Sequence, residues 1–197
     1  MFDVASYWDR RYLQGRTSGA GSEGEFARAK AEQVRRVIER ERVTSIIDWG
    51  AGDGHVLGLV DPQVPYLGVD ISRLAVTRLR RSFPHHSFAL AANYRGQRAD
   101  LALSLDVIFH LVNDLDYQAY LHRLFGSAER LVLIHSTNHD GETTGRHVRW
   151  RHWTPDVADW YPDWRLSERT VSLAASMSGH GPDDDPSRLG FYLYRRG

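Results

Sequence analysis

The sequence predicts a single α/β domain with a seven-stranded, mostly parallel sheet, helices on both faces and an antiparallel last strand. Three observations carry that expectation. An apolar strand, Ser45 to Trp49, runs straight into Gly50-Ala51-Gly52-Asp53-Gly54 and then into the apolar turn Val56, Leu57, Leu59. Short apolar runs alternate with segments of helical period along the chain, as in strand–helix–strand units. Asp100 to Asp106 is almost continuously apolar, as a strand covered on both faces must be.

The 197 residues suit one domain, with residues 1–44 as an N-terminal flap and helix and 45–197 as the α/β core. Basic and acidic residues balance at 25 each, so no net field calls for nucleic acid or an anionic membrane, and neither is expected as a partner. The absence of cysteine excludes disulfides, thiol nucleophiles and zinc-thiolate sites. No signal peptide or long apolar run stands out, so the expectation is a cytoplasmic protein. Of the basic residues only Lys30 is lysine.

Taken in order, the aromatic and charged start (Phe2, Tyr7, Trp8, Arg10, Arg11, Tyr12) leads into Ser18-Gly19-Ala20-Gly21-Ser22-Glu23-Gly24, read as a flexible flap. Ser22 and Glu25 have capping-box spacing, and Ala27, Ala31, Val34 and Ile38 share a helical face. The helix after the glycine loop is short, stopped by Asp61-Pro62 and Pro65. Tyr66 to Asp70 reads as the second strand, and Ser72 caps a helix that Pro84 ends. His85 and His86 point to opposite faces and do not make a metal pair. Ser87 to Leu90 is the third strand and Asp100 to Asp106 the fourth; Asn113 or Asp114 starts a helix whose core stripe is Tyr117, Tyr120, Leu121, Leu124 and Phe125. Leu131 to Ile134 is the fifth strand, followed by the polar run His135 to Asp140. Arg146 to Trp153 alternates arginines with aromatics, either to grip a ligand or as a solvated edge. Thr154-Pro155 reads as cap and first turn of a short helix, Trp164 to Val171 as strand six, residues 178–187 as a disordered connection, and Phe191 to Tyr194 as the last strand of an antiparallel hairpin.

The glycine loop is a ligand cradle, because backbone amides there approach a ligand closely. It departs from the dinucleotide pattern: counted from Gly50 the sixth residue is His55, so the third glycine is out of register. Asp48 and Asp53 would also face a pyrophosphate with like charge, unfavourable by roughly a few kcal/mol. They favour a cationic ligand, and S-adenosylmethionine offers an ammonium and a sulfonium. Ile47-Asp48-Trp49-Gly50-Ala51-Gly52-Asp53-Gly54 resembles motif I of the class I S-adenosylmethionine-dependent methyltransferases, whose sheet is Rossmann-like. Gly68-Val69-Asp70-Ile71-Ser72 resembles the ribose-binding motif, with Asp70 on the ribose hydroxyls and Ile71 beside the adenine. Tyr7-Trp8, Ser18 to Gly24 and Lys30 are similar to a subset in which the N-terminal segment folds over the cofactor. Ser104 to Leu111 resembles motif IV and its following turn in that subset.

The resemblance implies cofactor contacts from Asp48, Gly50, Gly52, Gly54, Asp70, Ile71, Asp106 and Lys30. Asn93 stands where the loop after the third strand meets the adenine edge, or is simply a turn asparagine. Asp106 and His110 are candidates for the reactive end, with His139 a second base candidate. Methyl transfer asks mainly for alignment, and a hydroxyl acceptor adds the need for a base near neutral pKa. His110 suits that role; the alternative is a loop histidine held by backbone. No metal is expected. The functional expectation is a methyltransferase acting on an oxygen or nitrogen nucleophile of a small molecule, a metabolite or glycan. The rivals are an NAD-dependent oxidoreductase and a non-catalytic S-adenosylmethionine-binding module.

Overall fold

A computed structural model describes residues 3–141, 145–171 and 189–197. Among them lie helices α1 (Val4–Leu13), α2 (Gly24–Glu41), α3 (His55–Val60), α4 (Arg73–Ser82), α5 (Asp114–Ser127) and α6 (Thr154–Trp160). The strands are β1 (Ile46–Trp49), β2 (Tyr66–Asp70), β3 (Ser87–Leu90), β4 (Ala99–Leu105), β5 (Ala128–Thr137), β6 (Trp164–Val171) and β7 (Leu189–Arg196). They form one seven-stranded sheet in the order β3-β2-β1-β4-β5-β7-β6. All pairings are parallel up to β5, and β7 runs antiparallel to both β5 and β6.

Alternation of side chains along the strands builds two cores. Ile46, Leu101, Leu103 and Leu133 face α2, α3 and α4, where they meet Val34, Leu57 and Leu79. Ile47, Ala102, Val132 and Ile134 face the other way, onto Tyr117, Leu121 and Phe125 of α5 and Val157 of α6. Because both faces are covered, the central strands read as continuous apolar runs. The chain winds from β1 out to β3 and then crosses to β4 on the other side of β1, so the crevice at the carboxyl ends of β1 and β4 is the topological switch point. No helix of the described residues is long and apolar enough to cross a membrane.

Several local expectations change. The Ser22–Glu25 capping box does not form: Glu23 is the N-cap of α2 and makes no side-chain cap bond, while the Glu25 carboxylate pairs with Arg28. Thr154 is the first residue of α6 and not its cap. Asn138 caps that helix from outside, its Oδ1 accepting from the amides of Trp153 at 3.0 Å and Thr154 at 3.2 Å. β5 is longer than its apolar run, since His135 and Ser136 continue it as buried strand residues. The segment expected to be a disordered connection, 178–187, lies outside the described residues.

Candidate functional site

At the switch point lies a cavity of about 550 Å³. Its floor is the glycine loop after β1. Gly50 and Gly52 have φ of +90° and +60°, and an added Cβ would come within 2.4 Å of Val107 Cγ2 and 2.5 Å of Ser18 Oγ respectively. Only glycine fits these two positions, both for conformation and for space. Asp48, at the end of β1, accepts from the Tyr66 hydroxyl at 2.7 Å through Oδ2. Its Oδ1 is buried with no hydrogen-bond partner among the described residues. Burial pushes the Asp48 carboxyl up to about 6 against the opposing Tyr66 bond, with Asp70 adding to the rise. Asp70, at the end of β2, accepts from the Gly52 amide through Oδ2 and from the Ser72 amide through Oδ1, each at 2.8 Å. Burial raises its carboxyl too, and those amides oppose the rise. Ile71 follows, 44% exposed on the cavity wall.

The opposite wall comes from β4 and α2. Asp106 follows β4 with φ of +60°, a strained conformation for a non-glycine residue and one found at functional sites. Lys30 Nζ sits 2.5 Å from its Oδ2, and His135 Nδ1–H donates to Oδ1 at 2.6 Å. Burial pushes the Asp106 carboxyl up, but the charges and hydrogen bonds of His135 and Lys30 outweigh it and hold the group well below the usual carboxylate range. His110, in the turn Ile108–His110, donates Nδ1–H to the His147 carbonyl at 2.9 Å. A carbonyl can only accept, so in neutral His110 the free lone pair is on Nε2. Burial lowers the His110 pKa, opposed by the bond to His147. Trp8 of α1 meets the His110 ring edge-on at 5.1 Å, and with Tyr12 it roofs the cavity.

No protein-family model matches the chain, and a search of curated proteins finds no match. Solved structures do match in shape. N-methyltransferase NodS from Bradyrhizobium japonicum WM9, in complex with S-adenosyl-L-homocysteine, aligns at 15% identity with a TM-score of 0.75 over 99% of each chain. Magnesium protoporphyrin IX methyltransferase ChlM from Synechocystis PCC 6803 with bound S-adenosylhomocysteine aligns at 14% identity and TM-score 0.71 over 98% of each chain. The CcbJ methyltransferase from Streptomyces caelestis gives 15% and 0.71 over the whole of both chains. The fold is that of the class I methyltransferases. Within that methyltransferase fold, Asp48, Gly50, Gly52, Asp70, Ile71, Asp106, Lys30 and His110 all border the one cavity.

Other sequence candidates stand elsewhere. Gly54 starts α3 and lies against Leu79 and Phe83, outside the cavity lining. Asn93 is exposed on a turn after β3, also outside the lining. His139 contacts the Asp140 carbonyl and the edge of Trp150 and does not reach the cavity wall. Asp53 borders the cavity, but its carboxylate accepts from the Ser18 amide at 2.7 Å and the His55 amide at 3.1 Å, so it ties the two glycine loops together. Arg149 and Arg151 pair with Asp114 at 2.9 and 2.6 Å, and Arg151 also covers Tyr117, so these arginines serve the fold. Among the described residues no group of three or more His, Asp or Glu is placed to hold a metal.

Sequence reasoning missed His135 as the partner of Asp106 and gave Tyr12 no place at the site, whereas Trp8 belongs to the N-terminal segment that the resemblance lays over the cavity. A signal for Lys30 existed: a lone lysine at a buried stripe position between Ala27, Ala31 and Val34.

Proposed function

We propose that this chain is an S-adenosylmethionine-dependent methyltransferase acting on an oxygen or nitrogen nucleophile of a small molecule. The observation that carries the reading is the pair Asp48 and Asp70, two buried carboxylates on one cavity wall beside the glycine loop, with Asp48 Oδ1 unpartnered among the described residues. A buried acceptor without a partner is costly, and a ligand donating a positively charged hydrogen bond would satisfy it. The cofactor therefore fits the residues present. Asp70 keeps acceptor capacity for ribose hydroxyls beyond the two amides it holds, Ile71 offers an apolar face to the adenine, and Gly50 and Gly52 leave room for close approach. When bound, the cofactor would supply an electrophilic methyl group on a sulfonium.

The chain's own part is orientation and proton handling. His110 is the candidate base, its Nε2 lone pair set by the Nδ1–H bond to His147. Asp106, kept ionised, would orient the acceptor or the amino-acid end of the cofactor, and Lys30 fixes it from α2. Support for a small acceptor comes from the roof of Trp8 and Tyr12 over the cavity. The neighbours NodS, an N-methyltransferase, and ChlM, a magnesium protoporphyrin IX methyltransferase, are consistent with that class of acceptor.

Calorimetry with S-adenosylhomocysteine and with NAD tests the reading. Binding of the former is expected; binding of NAD alone would overturn it in favour of an oxidoreductase. Methyl transfer from labelled cofactor then separates an enzyme from a non-catalytic binding module.

A further inference from the structure

The acceptor can be narrowed by the charge of the cavity that must hold it. Six carboxylates line that cavity: Asp3, Asp48, Asp53, Asp70, Asp106 and Asp116. Against them stand two cationic side chains, Lys30 and Arg123. Lys30, 1% exposed with its ammonium on Asp106, and Asp106 offset each other, and Asp3, Asp116 and Arg123 are exposed, so the uncompensated buried carboxylates are Asp48 and Asp70. A cavity with such a balance is a poor host for an anion, since like charges in a low-dielectric site repel far more strongly than in water. It also holds an amine in its protonated form, because neighbouring carboxylates favour the charged state, and a protonated amine has no lone pair with which to attack.

A neutral hydroxyl escapes both penalties. It is not repelled, and it can donate its proton to an acceptor at the wall. His110 provides that acceptor, with Nδ1–H fixed on the His147 carbonyl and the Nε2 lone pair left over. The ring is also held in place: it stacks on His147 at 5.6 Å and 16°, with Trp8 edge-on. A carboxylate acceptor would need no base, and the one cation left to receive it, Arg123, is exposed and outnumbered by the carboxylates of the lining.

Resting on the methyltransferase reading, we propose that the acceptor is an uncharged hydroxyl group, so that the product is a methyl ether and neither a methyl ester nor a methylated amine. In the transfer the acceptor oxygen forms a bond to the methyl carbon as the sulfonium–methyl bond breaks, its electron pair returning to sulfur. The hydroxyl proton passes to His110 and from there to solvent. The leaving group is the neutral thioether, so charge and electrons balance without any oxidant or reductant.

The experiment uses the full chain, methyl-tritiated S-adenosylmethionine and a metabolite extract of the source cells. Labelled products are split into three portions: one held in mild alkali, one passed over a cation exchanger at neutral pH, one left untreated. Label that survives alkali and flows through the exchanger is expected. Release of volatile labelled methanol in alkali would mark an ester and overturn the proposal, and retention on the exchanger would mark an amine and do the same. A protein that binds S-adenosylhomocysteine yet labels nothing also overturns it, whereas failure to bind S-adenosylhomocysteine removes the underlying reading instead.

The rate with the labelled acceptor should fall at acid pH as His110 gains a proton in the field of Asp106, Arg11 and His147, the charged and titratable groups that bear on it. In H110N it should drop at least tenfold and recover in part with added imidazole. An unchanged rate and profile in H110N would contradict the role given to His110.

Discussion

The two walls of the cavity are built in different ways. The wall at β1 and β2 is local and partly held by backbone: Asp48 and Asp70 lie near the ends of adjacent strands, amides of Gly52 and Ser72 hold Asp70, and the Tyr66 hydroxyl holds Asp48. The wall at β4 is a side-chain structure, in which Asp106 is gripped by Lys30, 76 residues away in sequence, and by His135, 29 residues away. Removing one partner of a buried ion pair strongly destabilises a fold, because the other charge is left buried and unpaired.

That contrast can be broken by substitution. D106A should have the largest effect, lowering folding stability by about 3–5 kcal/mol in denaturant titration because the Lys30 ammonium is left buried without its partner. The double variant K30M/D106A should recover most of that loss; a double variant as unstable as D106A would show that the pair is not the source. D70A should instead leave the folded chain in place and weaken S-adenosylhomocysteine binding by about 1–3 kcal/mol in calorimetry. Unchanged affinity would remove Asp70 from the cofactor wall.

D48N sharpens the comparison through pH. The Asp48 carboxyl sits up at about 6 in the folded chain, above its ordinary value near 3.8, so the folded state binds this proton more tightly than the unfolded one. The ionised form therefore costs stability, a cost absent below about pH 4 and fully present above pH 6. D48N should raise stability at pH 7 by about 1–3 kcal/mol, with the gain vanishing as pH falls towards 4, while binding of the cationic cofactor weakens. Equal stabilisation at both pH values would place the cost somewhere other than the charge. The smallest effect is expected for S18A, which removes the bond from the Asp53 amide to Ser18 Oγ at 3.0 Å and should cost about 1 kcal/mol of stability. No loss at all would mean that water replaces the link between the glycine loops.

The same division explains what the sequence disclosed. Six of the seven strands could be placed within one or two residues because apolar runs, glycines and prolines mark them locally, and Ser72 caps α4 with its Oγ accepting from Ala75 at 3.1 Å as its position suggests. β5 reads short in the sequence because His135 is polar, and nothing local reveals that a strand histidine will be buried against the carboxylate that follows a neighbouring strand. Ser22 and Glu25 had the right spacing for a cap, but Arg28 takes the Glu25 carboxylate and the chain enters α2 at Gly24 instead. Charge alone puts Asp53 towards the ligand, but the amides of Ser18 and His55 claim its carboxylate, the first across 35 residues of sequence. Local chemistry made the β1–β2 wall legible, and long-range pairing hid much of the β4 wall.

Lys30 is the sole lysine of the chain, and it is 1% exposed. An amine-directed reagent therefore meets no accessible lysine on the folded protein. Any covalent labelling at Lys30 reports a molecule whose α2–Asp106 contact has come apart, so mass spectrometry of that single modification can count openings of the site without an acceptor, a substrate or a probe dye.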